Sequence, residues 1–151
     1  DNLPAVESPF STYAPTADTE GFIASRGHRA ISGYSRGSYA TWHLLNGLLD
    51  TAKWWIPMSA AISGEEEMAV PGPSYIEQVE WLENALASQP GYDYFIYLCC
   101  GGGRDMMYEY VTGLFKEMLA SGNFSYGTNP AENNLYFTLS QEVHQTLQAR
   151  L

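Results

Sequence analysis

Four short apolar runs punctuate this chain: RAISG (29–33), KWWIPMSAA (53–61), YDYFIYLCCGGG (92–103) and LYFTLS (135–140). No other feature constrains the fold as tightly. The runs are continuously apolar rather than alternating, the mark of strands covered on both sides. Each is followed by a segment of helical spacing. Tyr39, Trp42, Leu45 and Leu49 recur near that spacing after the first run. SYIEQVEWLENALASQP (74–90) opens with Ser74 and Glu77 at the separation of a capping box and stops at Pro90. RDMMYEYVTGLFKEMLASGN (104–123) is amphipathic and ends on Gly122-Asn123, and EVHQTLQARL starts a last helix. The rhythm predicts an α/β fold, a mainly parallel sheet with helices on both faces. Ahead of it, ADTEGFIASRGH (17–28) predicts a short helix with Thr16 or Asp18 as cap and Gly27 as stop. Residues 1–16, with Pro4, Pro9 and Pro15, read as irregular. At 151 residues the length suits one domain.

Composition narrows the function classes. The net charge is −10 with only 7 Lys and Arg along the chain, too few for the basic patch that tracks a nucleic-acid backbone. No apolar run approaches the 18 residues of a membrane span. Aromatic residues reach 14%, compatible with a carbohydrate- or aromatic-binding surface and equally with core packing. Cys99 and Cys100 are neighbours on a strand and face opposite ways, so they read as two buried free thiols rather than a disulfide. The triplet Glu65–Glu67 reads as a solvated face, not a metal site. The chain opens on Asp1 without a signal-peptide pattern, as a mature product or a piece of something longer would.

The first apolar run leads into Gly33-Tyr34-Ser35-Arg36-Gly37, a G-x-S-x-G sequence with a strand before it and a helix after. In such an elbow a serine stands on a sharp turn at the carboxyl end of a parallel sheet, where chemistry in these folds is placed. The glycines, Gly33 and Gly37, allow the turn and the close packing of the helix. A serine hydroxyl needs an imidazole to take its proton, and the imidazole needs a carboxylate to fix its tautomer and stabilise its charge. Reading off the carboxyl ends of the later strands gives Asp105 after the third and His144 after the fourth. Ser, Asp, His is the chain order of α/β-hydrolase triads. Asp93 precedes its strand and Asp50 ends a helix; His28 precedes the nucleophile strand and His43 lies within the following helix. Arg36 N–H, at the helix start, is placed to donate to an oxyanion. Tyr34, Trp54 and Trp55 are candidates to line an acyl pocket, although both tryptophans could equally pack around the sheet, and at most one can face a given side.

The segment VESPFSTYAPTADTEGFIASRGHRAISGYSRGSYATW resembles carbohydrate esterase family 1, nearest the feruloyl and acetyl-xylan esterases attached to xylanases, within the wider esterase-D-like group. The resemblance continues through WWIPMSAAISG and YFIYLCCGGGRDMMY to LYFTLSQEVHQTLQ. It implies an extracellular α/β-hydrolase that releases hydroxycinnamoyl or acetyl groups from xylan without a cofactor or metal. It places the nucleophile on Ser35, the acid on Asp105 and the base on His144. Arg36 stands where the family commonly has Met, and QEVHQTLQ lacks the glycine and aromatics that usually flank the histidine. It also implies further strands ahead of the elbow strand, which would supply a second oxyanion donor. The chain is then expected to be one partial hydrolase domain, 1–151, whose exposed sheet edge pairs either with a missing N-terminal segment or with a second copy, and which is fused to or paired with a xylanase or carbohydrate-binding module. The alternatives are an acetyl, siderophore or other small-acyl esterase of the same fold, or an incomplete fragment that only binds carbohydrate.

Overall fold

A computed structural model of the chain describes residues 3–9, 11–62 and 73–141. Its elements run α1 (Leu3–Glu7), α2 (Thr19–Ser25), a 3-10 turn (Arg26–His28), β1 (Ala30–Tyr34), α3 (Arg36–Leu45), β2 (Trp54–Met58), α4 (Tyr75–Ala87), β3 (Phe95–Cys100), α5 (Tyr108–Ser121) and β4 (Leu135–Leu139). The four strands form one sheet in the order β1-β2-β3-β4, all parallel. The register pairs Tyr34 with Met58, Met58 with Cys99 and Cys100 with Leu139, so the carboxyl ends of the strands lie nearly level.

Because strand order follows chain order, right-handed crossovers send α3, α4 and α5 to the same face of the sheet. The core records this. Trp55, Ile96, Leu98, Cys100 and Leu135 are buried in one cluster with Trp42 and Leu45 of α3, Val79 and Leu82 of α4, and Val111, Leu114 and Met118 of α5. Each large side chain fully withdrawn from water contributes about 1.5–3 kcal/mol. Alternation along the strands turns Trp54, Ile56, Phe95, Tyr97 and Tyr136 to the opposite face. The helix expected after β4 lies outside the described residues.

Local chemistry sets the element ends. Asp18, not Thr16, caps α2, its carboxylate accepting from Gly21 N at 2.9 Å. The capping box of α4 forms as expected, with Glu77 N donating to Ser74 Oγ and Ser74 N to Glu77 Oε2. Gly122 ends α5 in the left-handed region, φ 78°.

Several expectations are corrected. Residues 3–7 are helical rather than irregular, with Pro4 in the first turn where its missing N–H costs nothing. Glu7 at the end of that helix is held bidentately by Arg29, at 2.5 and 2.7 Å. Gly27 does not stop α2; the chain continues through it in the 3-10 turn, and Arg26 N donates to Ile23 O. Leu49 lies beyond α3 yet remains buried, because Gln89 accepts from Leu49 N and donates to Leu45 O. The second strand ends at Met58, three residues early, and α5 begins at Tyr108, four residues late. Both differences arise at the candidate site.

Candidate active site

β1 delivers Gly33, Tyr34 and Ser35 to the carboxyl end of the sheet. Ser35 has φ 54° and ψ −114°, outside the regions an L residue ordinarily occupies. Such a conformation costs on the order of 1–3 kcal/mol and persists only where its surroundings enforce it. Two hydrogen bonds do so. Ser35 N donates to Met58 O at 2.9 Å, continuing the pairing of β1 with β2, and Ser38 N donates to Ser35 O at 2.9 Å, starting α3. Arg36 N–H is the first amide of that helix, beside the serine. The turn is tight enough that a Cβ on Gly33 would lie 1.9 Å from Gly37 O and 2.6 Å from Thr41 Oγ1. Gly37 has a different part: among the described residues a Cβ on it would meet nothing within 4 Å, and its φ is not positive. Its carbonyl is what Gly33 must clear.

Asp105 follows β3 and is 4% exposed. A buried carboxylate is costly unless donors surround it, and here they do. Oδ2 accepts from Ser59 Oγ and from Gly101 N, both at 3.1 Å, and Oδ1 accepts from Met107 N at 2.8 Å. The Cys100 side chain is fully buried at the end of β3, close enough to Asp105 to feel its charge. Asp105 N donates to Gly102 O and Tyr108 N to Asp105 O, so the residues before α5 form a turn around this side chain, which delays the helix start. Gly102 also lets the chain leaving β4 pass close by: a Cβ there would come within 3.0 Å of Ser140 O.

Burial pushes the Tyr34 phenol up to about 12, with the negative charge of Asp105 adding to it. Tyr34 is therefore a neutral hydroxyl at any working pH, on the same electrostatic patch as Asp105. The Cys100 thiol is likewise raised to about 12, chiefly by burial and next by Asp105. It stays protonated.

The structure thus brings Ser35, Arg36, Tyr34 and Asp105 to one end of the sheet. Ser35 and Asp105 are two strands apart, about 10 Å of sheet. His144 and Glu65–Glu67 lie outside the described residues. Trp54 and Trp55 go elsewhere: they open β2, paired with Ala30 and Ile31 near the amino end of the sheet. Trp55 is fully buried in the core, and Trp54 Nε1 donates to Gly27 O at 2.7 Å. They serve packing, one on each side of the strand. Of the competing residues, Asp93 sits at the amino end, bridged by Arg26 and Lys53. His28 stacks on Tyr13, ring centroids 4.1 Å apart, and His43 meets Trp81 edge-on at 5.2 Å. Asp50 follows α3 and accepts from Thr51 Oγ1. The residue that sequence reasoning missed is Ser59, which follows β2 with φ 53° and reaches the Asp105 carboxylate. Nothing in the letters PMSA announces it; a small polar residue at the carboxyl end of a strand is the only signal.

Among the described residues no group of three or more His, Cys, Asp or Glu side chains could hold a metal ion, and no helix is long and apolar enough to cross a membrane.

Comparison with known proteins adds a family context. No family model matches the chain. It is 27% identical over 138 residues to endo-1,4-beta-xylanase Y of Acetivibrio thermocellus, covering 91% of this chain and 12% of that protein. It matches the feruloyl esterase module of Clostridium thermocellum, a serine-to-alanine mutant complexed with sinapinate, with TM-score 0.81 and 26% identity. A structure named FAE matches with TM-score 0.82, again at 26% identity. Both superpositions cover 95% of this chain and 49% of the other. The chain therefore has the architecture of an α/β-hydrolase and spans about half the length of these similar modules.

Proposed function

We propose that this chain carries the nucleophile, acid and base of a serine carboxylic-ester hydrolase of the feruloyl-esterase type, working as part of a longer hydrolase domain. The observation that carries the reading is the backbone of Ser35, held at φ 54° between strand and helix in a G-x-S-x-G turn with a buried carboxylate two strands away. In this reading His144 is the base that works between Asp105 and Ser35. It takes the Ser35 proton as Oγ attacks the ester carbonyl, and Asp105 fixes its tautomer and stabilises the imidazolium. Arg36 N–H donates to the oxyanion, and a second donor comes from outside this chain. His144 then protonates the leaving alkoxide, and the acyl group remains on Ser35 until a water activated by the same histidine releases the acid. Tyr34, neutral beside Asp105, borders the acyl group.

The substrate class follows from the similar module, which was captured with sinapinate. Hydroxycinnamoyl esters of xylan are accordingly the preferred substrates, with the chain fused to or paired with xylan-degrading modules and acting outside the cell. The matched region of the xylanase supports this setting. The test is hydrolysis of methyl ferulate and methyl sinapate against p-nitrophenyl acetate. Turnover of the cinnamates that disappears in Ser35→Ala supports the proposal. Turnover of the acetate alone would move the assignment to a small-acyl esterase, and cinnamate turnover retained in Ser35→Ala would overturn the mechanism.

A further inference from the structure

We propose that Ser59 is a positioning residue for the Asp105 carboxylate, and that the Ser59-Ala60 turn ties the acid loop to the helix carrying the nucleophile. The inference rests on the roles of Ser35 and Asp105 proposed above. Among the described residues, Ser35 and Ser59 are the two non-glycine positions with positive φ. They follow adjacent strands at the same end of the sheet. Positive φ is uncommon for a residue bearing a Cβ and points to a conformation imposed by neighbours.

At Ser59 the imposition is visible. Its N–H donates to Cys99 O at 2.9 Å, taking the place of one more rung of the β2–β3 ladder, and its hydroxyl donates to Asp105 Oδ2 at 3.1 Å. The side chain is wholly buried. One residue on, Ala60 O accepts from two side chains of α3, Ser38 Oγ and Trp42 Nε1, each at 3.2 Å. Two consecutive residues thus grip the acid on one side and the elbow helix on the other. Asp105 keeps its two amide donors, Gly101 and Met107, only while its carboxylate stays in this orientation. The Ser59 hydroxyl, just past the end of β2, donates to Oδ2 and holds it toward Gly101 N. A carboxylate free to rotate would still be charged but would no longer present a fixed oxygen to an imidazole.

The experiment uses the full chain with Ser59→Ala and Ser59→Gly. Alanine removes the hydroxyl and keeps the Cβ; glycine also removes the hydroxyl but relieves the backbone, so at least one variant is expected to fold. Amide hydrogen exchange is read at Gly101 and Met107, with Ile96 and Leu98 as core references, alongside kcat and KM on methyl ferulate. The expected result is faster exchange at Gly101 and Met107 in both variants, unchanged exchange at the references, and a fall in kcat of about tenfold with little change in KM, the scale of one hydrogen bond to a charged group. Unchanged exchange at Gly101 and Met107 would overturn the inference, as would equal acceleration at all four amides, which marks a purely structural role. Selective acceleration at the two amides with kcat unchanged in both variants would sustain the positioning of Asp105 by Ser59 and refute the catalytic role of Asp105 instead.

Discussion

Replacing Gly33 with alanine is the sharpest perturbation the elbow offers. The new Cβ would sit 1.9 Å from Gly37 O, 2.2 Å from Gly37 C and 2.6 Å from Thr41 Oγ1. Two of the three are backbone atoms, so no rotamer change relieves the contact. The first turn of α3 has to recede by about 1.1 Å merely to bring the nearest contact to 3.0 Å, a separation real Cβ atoms seldom go below. That movement pulls on Ser38 N–Ser35 O and on the two bonds from Ser38 and Trp42 to Ala60 O. Overpacking of this kind costs about 3 kcal/mol at the upper end of its range. For a chain of this size that lowers Tm by about 6–12 °C. Displacing a nucleophile by about 1 Å should slow reaction of Ser35 with an active-site probe by on the order of 100-fold. Gly37→Ala is the internal control. It adds a methyl where none of the described residues lies within 4 Å, on a helical residue, so it should leave Tm unchanged or raise it by about 1–4 °C. Thermal melts followed by circular dichroism, with probe-labelling rates on the same samples, read both. A Gly33→Ala protein that melts and reacts like wild type would refute the packing argument. So would a Gly37→Ala protein that is damaged equally.

Asp105→Asn should be costly in two ways: an amide nitrogen in place of Oδ2 turns a donor toward Gly101 N, destabilising the fold by about 1–3 kcal/mol, and ester turnover should fall by on the order of 10⁴. Chemical denaturation and kcat/KM measure the two separately, and an Asn variant with native activity would contradict the assignment. Burial raises the Cys99 thiol to about 11 and Cys100 to about 12, so both stay protonated at pH 8; Cys100, fully buried, should react with Ellman's reagent only after unfolding, and Cys99, half-buried rather than buried as expected, more slowly than a free peptide thiol. A thiol titrating at the rate of a free peptide in the native protein would show that burial wrong. Asp93 is held below the usual carboxylate range by Lys53 first, with Arg26 adding to it. Its contribution to stability is therefore present above about pH 4 and lost as pH falls through the lowered folded value. In Asp93→Asn the fall in stability on acidification below about pH 4 should be shallower than in wild type; an unchanged slope would show the pairing to be inert.

The alternation of strands and helices was legible because short apolar runs bounded by turn residues mark strands, and caps such as Ser74 with Glu77 and Gly122 have local causes. The elbow was legible for the same reason: glycine at position 33 is required by an approach between neighbours in sequence, Gly33 and Gly37. What escaped the sequence was decided by contacts far apart along the chain. β2 ends at Met58 because Ser59 turns to Asp105, 46 residues away. Leu49 stays in the core through a glutamine 40 residues on. Trp54 and Trp55 suggested a pocket by residue type, but register puts them at the wrong end of β2. The stretch SRGHR, within the first block of the resemblance, turns out to scaffold that amino end. Arg26 bonds Leu49 O, Ala52 O and Asp93, while Arg29 holds Ser25 and Glu7.

The central claim is that Ser35 is an activated nucleophile. A fluorophosphonate probe, with the adduct located by mass spectrometry, tests it directly. The account predicts a single adduct on Ser35, absent from Ser35→Ala and strongly reduced in Asp105→Asn. A folded protein that takes no label, or takes it on another residue, would contradict it.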